Sequence, residues 1–265
     1  MSPHIHRRTF GSGARAILSI HCSLGHSGAW RGIGAALGDM ATLHAFDLPC
    51  HGASGDWDGQ GDIHDTATDM ALTVLDDIGA QPIDLLGHSF GATVALRLAI
   101  EHPERVRSLI MYEPVFFAAA IMDDPDFKPR YARAMAGYET ALAAGDVTGA
   151  AQAFIAMWGD GTEWKNVPQP TRDYMVARIS FIHASGPFLI EDRVGLLAPG
   201  VFARAAMPAL LLRGETSPWA APINAAIARR LRKVDEMCIQ GAGHMGPISD
   251  PKAVATPIRA FLNRV

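Results

Sequence analysis

Residues 84–91 of this chain read Asp-Leu-Leu-Gly-His-Ser-Phe-Gly, and no other stretch constrains the fold as tightly. A short apolar run breaks at Gly87-His88-Ser89-Phe90-Gly91 and passes at once into Ala92, Val94, Ala95, Leu96, Leu98, Ala99 and Ile100, a helical pattern that stops near Pro103. Strand, sharp turn and helix follow one another without a loop. Small residues on both flanks let the backbone tighten until the Ser89 hydroxyl points clear of the sheet. In a chain with 26 glycines a Gly-x-Ser-x-Gly arises by chance on the order of 0.1 times, so its context has to carry the reading. The stretch Gly25-His26-Ser27-Gly28-Ala29 supplies a contrast, because it trails the preceding apolar run by several residues, too loosely for such a turn.

Strand-length apolar runs at 17–21, 42–47, 83–87, 106–113, 209–213 and 233–240 alternate with helical patterns at 30–40, 65–78, 90–102, 222–232 and 247–263. That alternation predicts an α/β fold with a mostly parallel central sheet and helices on both faces. Residues 116–200 break the pattern: they are rich in Ala, Met and aromatics, lack a strand run, and are interrupted at Pro125, Pro129, Pro168, Pro170, Pro187 and Pro199. The expected organisation is therefore a core of 1–115 and 201–265 with a helical lid, 116–200, inserted after the strand that follows the Ser89 turn. Neither internal repeats nor a low-complexity linker divides the chain.

With 265 residues, 49% of them hydrophobic, the chain can bury one large core. Its net charge of −4, with acids and bases mixed along its length, offers no nucleic-acid surface, which makes a small molecule the expected partner and leaves a homodimer open. No apolar stretch approaches the roughly 20 residues that span a bilayer, and residues 1–10 lack an apolar signal core, so no membrane partner and a cytoplasmic location are expected. Cys22, Cys50 and Cys238 have no paired spacing, and His4 and His6 lack a third ligand nearby. Hence neither a disulfide framework, a metal nor a cofactor is expected, and the amino terminus reads as frayed.

Five stations in order make the chain similar to the α/β-hydrolase-fold family, specifically its lidded serine hydrolases: His21-Cys22-Ser23, Asp47-Leu48-Pro49-Cys50-His51-Gly52-Ala53-Ser54, the turn at 87–91, the strand run leading to Gly214, and Gly241-Ala242-Gly243-His244-Met245. In that family the first station usually reads His-Gly-x and the second Asp-x-Pro-Gly-His-Gly-x-Ser, so cysteine replaces glycine in both. The resemblance makes residues 87–91 a nucleophile elbow with Ser89 as nucleophile and His244 as its base. It also implies an oxyanion hole from the N–H groups of Phe90 and Ser23, with Leu24 next in line for the latter. Cys22 and Cys50 would flank one pocket, which permits a disulfide that a reducing compartment disfavours.

The acid departs from the usual pattern. After the 209–213 strand the family carries Gly-x-x-Asp, whereas this chain reads Gly214-Glu215-Thr216-Ser217, and a serine cannot supply the charge that an imidazolium needs. Glu113, ending the strand after the elbow unit, is the favoured replacement, because some family members place their acid there; Glu215 is the alternative. Trp158 on the insertion, with Leu24 and Met245 next to the oxyanion and base positions, is expected to line an apolar substrate pocket. His21, Asp47, His51 and His88 read as structural. The expected activity is hydrolysis of a small, mostly apolar carboxylic ester through an acyl-enzyme. Cleavage of a carbon–carbon bond or a lactone with the same machinery is an alternative, as is a ligand-binding or signalling module with little turnover.

Overall fold

The computed structural model describes residues 3–79 and 82–265. Seven strands form one sheet in the order β1-β3-β2-β4-β5-β6-β7. They are β1 (Arg7–Phe10), β2 (Arg15–Ile20), β3 (Ala41–Phe46), β4 (Ile83–His88), β5 (Val106–Tyr112), β6 (Ala209–Gly214) and β7 (Val234–Ile239). All neighbours pair in parallel except β1, which runs antiparallel to β3 with Arg7 opposite Phe46. The chain thus winds one way from β2 to β3 and the other way from β4 onwards. The crevice where the winding reverses, between the carboxyl ends of β2 and β4, is where ligands bind in open parallel sheets.

Helices α1 (Arg31–Leu37), α2 (Ile63–Ile78) and α3 (Phe90–Glu101) connect the first strands. Between β5 and β6 lie α4 (Phe117–Asp123), α5 (Phe127–Ala143), α6 (Val147–Trp158), α7 (Gln169–Val176), α8 (Ser180–Ala184) and α9 (Gly186–Leu189), so the stretch without a strand signal is a helical insertion. The chain closes with α10 (Ala220–Ala228), α11 (Gly246–Ser249) and α12 (Pro251–Leu262). Alternate residues of the central strands enter opposite layers, as the two-residue period of a strand requires. Leu85, Leu109, Met111 and Leu211 pack with α2, α3 and α10, while Leu86, Ile110, Leu210 and Leu212 pack with α1 and α12.

Local signals set several boundaries. Asp62 caps α2 by accepting the His64 N–H at 2.9 Å, and Gly79 ends that helix in the left-handed conformation at φ 69°. Three expectations need correction. Residues 4–10 are not frayed: β1 pairs along β3, and the His4 and His6 carbonyls accept the N–H groups of Gly55 and Asp47 at 2.9 Å each. The sequence hides this strand because Arg7-Arg8-Thr9-Phe10 has no apolar face, as suits an edge. The helical pattern at 222–232 begins earlier and ends at Ala228, and that at 247–263 is two helices, α11 and α12, divided at Asp250.

Candidate active site

Ser89 stands between β4 and α3 with φ 55° and ψ −118°, a conformation that costs a residue with a side chain of order 1–3 kcal/mol. The flanking glycines make it attainable. A Cβ on Gly91 would strike the carbonyl oxygens of Ile20 and His21, and one on Gly87 would strike Ala92. Ser89 N–H donates to the Tyr112 carbonyl at 2.9 Å, which ties the turn to β5. The contrasting serine, Ser27, lies in a short 3-10 turn where its N–H donates to Asp47 Oδ1 at 2.6 Å.

His244 is buried in the loop between β7 and α11, and its two ring nitrogens face two partners. Nε2 lies 3.0 Å from Ser89 Oγ and Nδ1 lies 2.7 Å from Glu113 Oε2. Glu113, also buried, follows the last residue of β5 at φ 46°. Its Oε2 additionally accepts the Ser217 hydroxyl at 2.7 Å and its Oε1 the Gly214 N–H at 2.7 Å. Every contact uses the carboxylate as acceptor, and three donors hold it in one orientation. Glu215 points elsewhere: its Oε2 accepts the Gly241 N–H at 2.9 Å, bracing the start of the loop that carries His244.

That loop is held from below as well. His88 Nε2–H donates to the His244 carbonyl at 2.8 Å, and the Tyr112 hydroxyl donates to the Gly243 carbonyl at 2.6 Å. Burial, reinforced by the neighbouring His244, pushes the His88 imidazole well below the ordinary histidine range. It is therefore a neutral donor, consistent with a structural role. Sequence reasoning did not single out Tyr112 or a bonding role for Ser217. The signal for Ser217 was the gap itself, because a hydroxyl at the position of the usual aspartate is placed to bond whatever carboxylate replaces it.

Two further buried rings shape the loop that carries Ser23 and Leu24. His21 Nδ1–H donates to the Cys22 carbonyl at 2.7 Å while Nε2 accepts the Leu48 N–H at 2.9 Å. His51 Nδ1–H donates to the Pro49 carbonyl at 2.8 Å while Nε2 accepts the Leu24 N–H at 2.9 Å. Burial lowers His21 to about 4 and His51 to about 3, which keeps both neutral and fixes these tautomers. The Leu24 N–H is thereby committed, which removes it as an oxyanion donor. No acceptor among the described residues takes the Ser23 or Phe90 N–H. The positive φ that a glycine would supply falls on Leu24 at 60° in the first loop and on Cys50 at 65° in the second. The three cysteines are free thiols, and burial pushes Cys22 up to about 12, so it is a packing residue.

A cavity of about 640 Å³ opens over Ser89 and His244, with Ser23 at its floor and Trp158, Phe117, Met135 and Phe154 of the insertion in its wall. Trp158 stands edge-on to His244 with ring centroids 4.6 Å apart. Leu24 and Met245 do not line this cavity, a correction to the expected pocket: Leu24 is turned into the core by its bond to His51, and Met245 precedes α11. Among the described residues no helix is long and apolar enough to cross a membrane.

Comparison with known proteins places the chain in a family. Over 107 residues, 40% of each chain, the sequence is 36% identical to the pimeloyl-[acyl-carrier protein] methyl ester esterase of Nitrosomonas europaea. Over 156 residues, 59% of this chain and 57% of the relative, it is 33% identical to the enzyme of that name from Klebsiella pneumoniae. The matches thus span between two fifths and three fifths of those relatives' length. In three dimensions the chain resembles the enol-lactonase from Burkholderia xenovorans LB400, with a TM-score of 0.73, 18% identity and coverage of 98% and 97% of the two chains. It resembles a thermophilic esterase from Thermogutta terrifontis to the same TM-score of 0.73, with 21% identity and coverage of 98% and 93%. A family model described as alpha/beta hydrolase fold matches residues 15–251, nearly the whole chain, and the protein belongs to that family.

Proposed function

We propose that the protein is a serine hydrolase that cleaves a small, mostly apolar carboxylic ester through an acyl-enzyme, with Ser89 as nucleophile, His244 as base and Glu113 as acid. The observation that carries the reading is the unbroken chain of hydrogen bonds from Ser89 Oγ through the His244 ring to Glu113 Oε2, at 3.0 and 2.7 Å. Ser89 attacks the ester carbonyl as His244 Nε2 accepts its proton. Glu113 holds Nδ1–H toward itself and stabilises the imidazolium. The N–H groups of Ser23 and Phe90 receive the charge that develops on the carbonyl oxygen. His244 then returns the proton to the departing alcohol, and water repeats the sequence to release the acid.

Ester rather than amide chemistry is supported by the relatives named as methyl ester esterases, and the helical insertion, acting as a lid, supplies the apolar walls for the substrate. A fluorophosphonate probe tests the reading. Labelling confined to Ser89 and abolished in Ser89→Ala, together with turnover of short-chain p-nitrophenyl esters, is the expected result. A wild-type protein that is neither labelled nor active overturns it in favour of a binding module.

A further inference from the structure

One side chain of the insertion ties together two loops of the core. Tyr174, on α7, does not line the cavity over Ser89. Its hydroxyl accepts the Gly52 N–H at 2.8 Å and donates to the Gly25 carbonyl at 2.7 Å, so a single oxygen bridges the loop after β3 and the loop after β2. The ring is held in turn by Arg178, whose guanidinium carbon lies 3.6 Å from the ring centroid and whose Nη1–H donates to the Tyr174 carbonyl at 3.0 Å. Gly25 closes the turn that presents Ser23. Its N–H donates to the Cys22 carbonyl at 3.1 Å, and a Cβ placed on it would lie 3.1 Å from that oxygen and from Cys22 Sγ, so Gly25 packs directly on Cys22.

Building on the ester-hydrolase reading, we propose that Tyr174 is a positioning residue for the oxyanion hole, which makes docking of the insertion a condition for stabilising the oxyanion. The link runs through one peptide. The Cys22 carbonyl and the Ser23 N–H belong to a single planar trans unit and point opposite ways, so whatever pins the oxygen aims the N–H. That oxygen is pinned by His21 Nδ1–H at 2.7 Å and by the Gly25 N–H, and Gly25 keeps its place because Tyr174 holds its carbonyl. The effect belongs to the tetrahedral intermediate. A substrate rests against walls that Tyr174 does not reach, whereas the bond to the developing charge depends on where the Ser23 N–H points.

The test measures how butyl trifluoromethyl ketone and the secondary alcohol formed by its reduction inhibit p-nitrophenyl butanoate hydrolysis. Ser89 Oγ adds to the ketone carbon, its proton passes to His244 Nε2, and the carbonyl oxygen becomes the oxyanion of a hemiketal; the alcohol fills the same space and forms no oxyanion. Tyr174→Phe and Tyr174→Leu, which both lack the hydroxyl, should raise Ki for the ketone at least about tenfold and leave Ki for the alcohol within about twofold. Arg172→Met removes the bonds from α7 to the Trp164 and Lys165 carbonyls, spares Tyr174, and should leave both constants at the wild-type values. Inhibition constants are independent of how much of a variant folds. A ketone constant unchanged in the Tyr174 variants, or one that weakens in step with the alcohol or equally in Arg172→Met, overturns the role of Tyr174 while leaving the hydrolase intact. If the wild-type protein neither consumes the ester nor is labelled by the fluorophosphonate, the hydrolase reading falls and takes this role with it.

Discussion

Ser217 donates its hydroxyl proton to Glu113 Oε2 at 2.7 Å, on the same oxygen that meets His244 Nδ1. The position that carries an aspartate in the commoner family pattern thus holds a hydroxyl that braces a carboxylate arriving from β5. Strand β5 lies beside β6, so the two strand ends present their side chains to one point.

Replacing Glu113 by Gln should lower kcat by about 10³–10⁴-fold with little change in KM, because the amide favours the wrong imidazole tautomer and supplies no charge. Glu215→Gln, which loses only the bond to Gly241 N–H, should stay within about threefold of wild type. Steady-state kinetics on a chromogenic short-chain ester decide; a large loss confined to Glu215→Gln would reverse the assignment.

The shared oxygen predicts a relocation. Glu113→Gln combined with Ser217→Asp should regain at least about tenfold in kcat over Glu113→Gln alone, since the new carboxylate enters from the adjacent strand end. Ser217→Asp by itself should lose stability, because two buried carboxylates would then crowd one site. Kinetics and thermal unfolding of the three variants distinguish these outcomes.

His88 holds the loop that carries His244 through its bond to the His244 carbonyl. Substituting Phe should strand that carbonyl and cost about 1–3 kcal/mol of stability. It should also lower kcat more than it raises KM, since the imidazole would lose its fixed height above Ser89. Urea denaturation and Michaelis kinetics measure the two effects separately.

Acid should destabilise the fold well before its carboxylates are protonated. His21 and His51 are neutral when folded, with pKa values lowered to about 4 and about 3, yet bind protons in the unfolded chain near 6.5. Below pH 6.5 the unfolded state holds more protons, so stability falls as pH falls, by roughly 2 kcal/mol per ring at pH 5. His64 and His88, also lowered by burial, act in the same direction. Denaturant midpoints at pH 7 and pH 5 should show the loss, and His51→Gln should flatten the dependence.

At the other end of β4, Asp84 is a stability determinant remote from chemistry. Burial alone would raise its carboxyl, but hydrogen bonds from Arg107, Arg15 and Ser108 outweigh this and hold it below the usual range. Asp84→Ala should cost about 1–3 kcal/mol by removing the shared acceptor of Arg15, Arg107 and Ser108, with Arg15 keeping the Leu262 and Val265 carbonyls, while kcat of the folded fraction is unchanged. Calorimetry with active-site titration tests both halves.

Much of this architecture was legible in the sequence. The six parallel strands lie within a residue or two of the predicted runs: burial on both faces leaves a nearly continuous apolar run in central strands such as β4 and β6, whereas β7 is a mostly exposed edge, and the strand-turn-helix at Ser89 is local enough to be written in consecutive residues. The edge strand β1 escaped notice because its partner β3, not its own composition, makes it a strand. The pocket was legible only in part: Trp158 reaches it, whereas Leu24 and Met245 turn away for reasons that lie in His51 and in the start of α11.

The sequence by itself determined the order of strands and helices, the tight turn at Ser89 and the candidates for base and acid, since these depend on neighbours along the chain. Only the tertiary structure decided which carboxylate meets His244, which N–H groups remain free near Ser89, and which side chains of the insertion line the cavity above it. Those are relations between residues up to 155 positions apart, as for Ser89 and His244. Such relations follow from strand order and loop direction, which position a side chain to within an ångström and leave no trace in local composition.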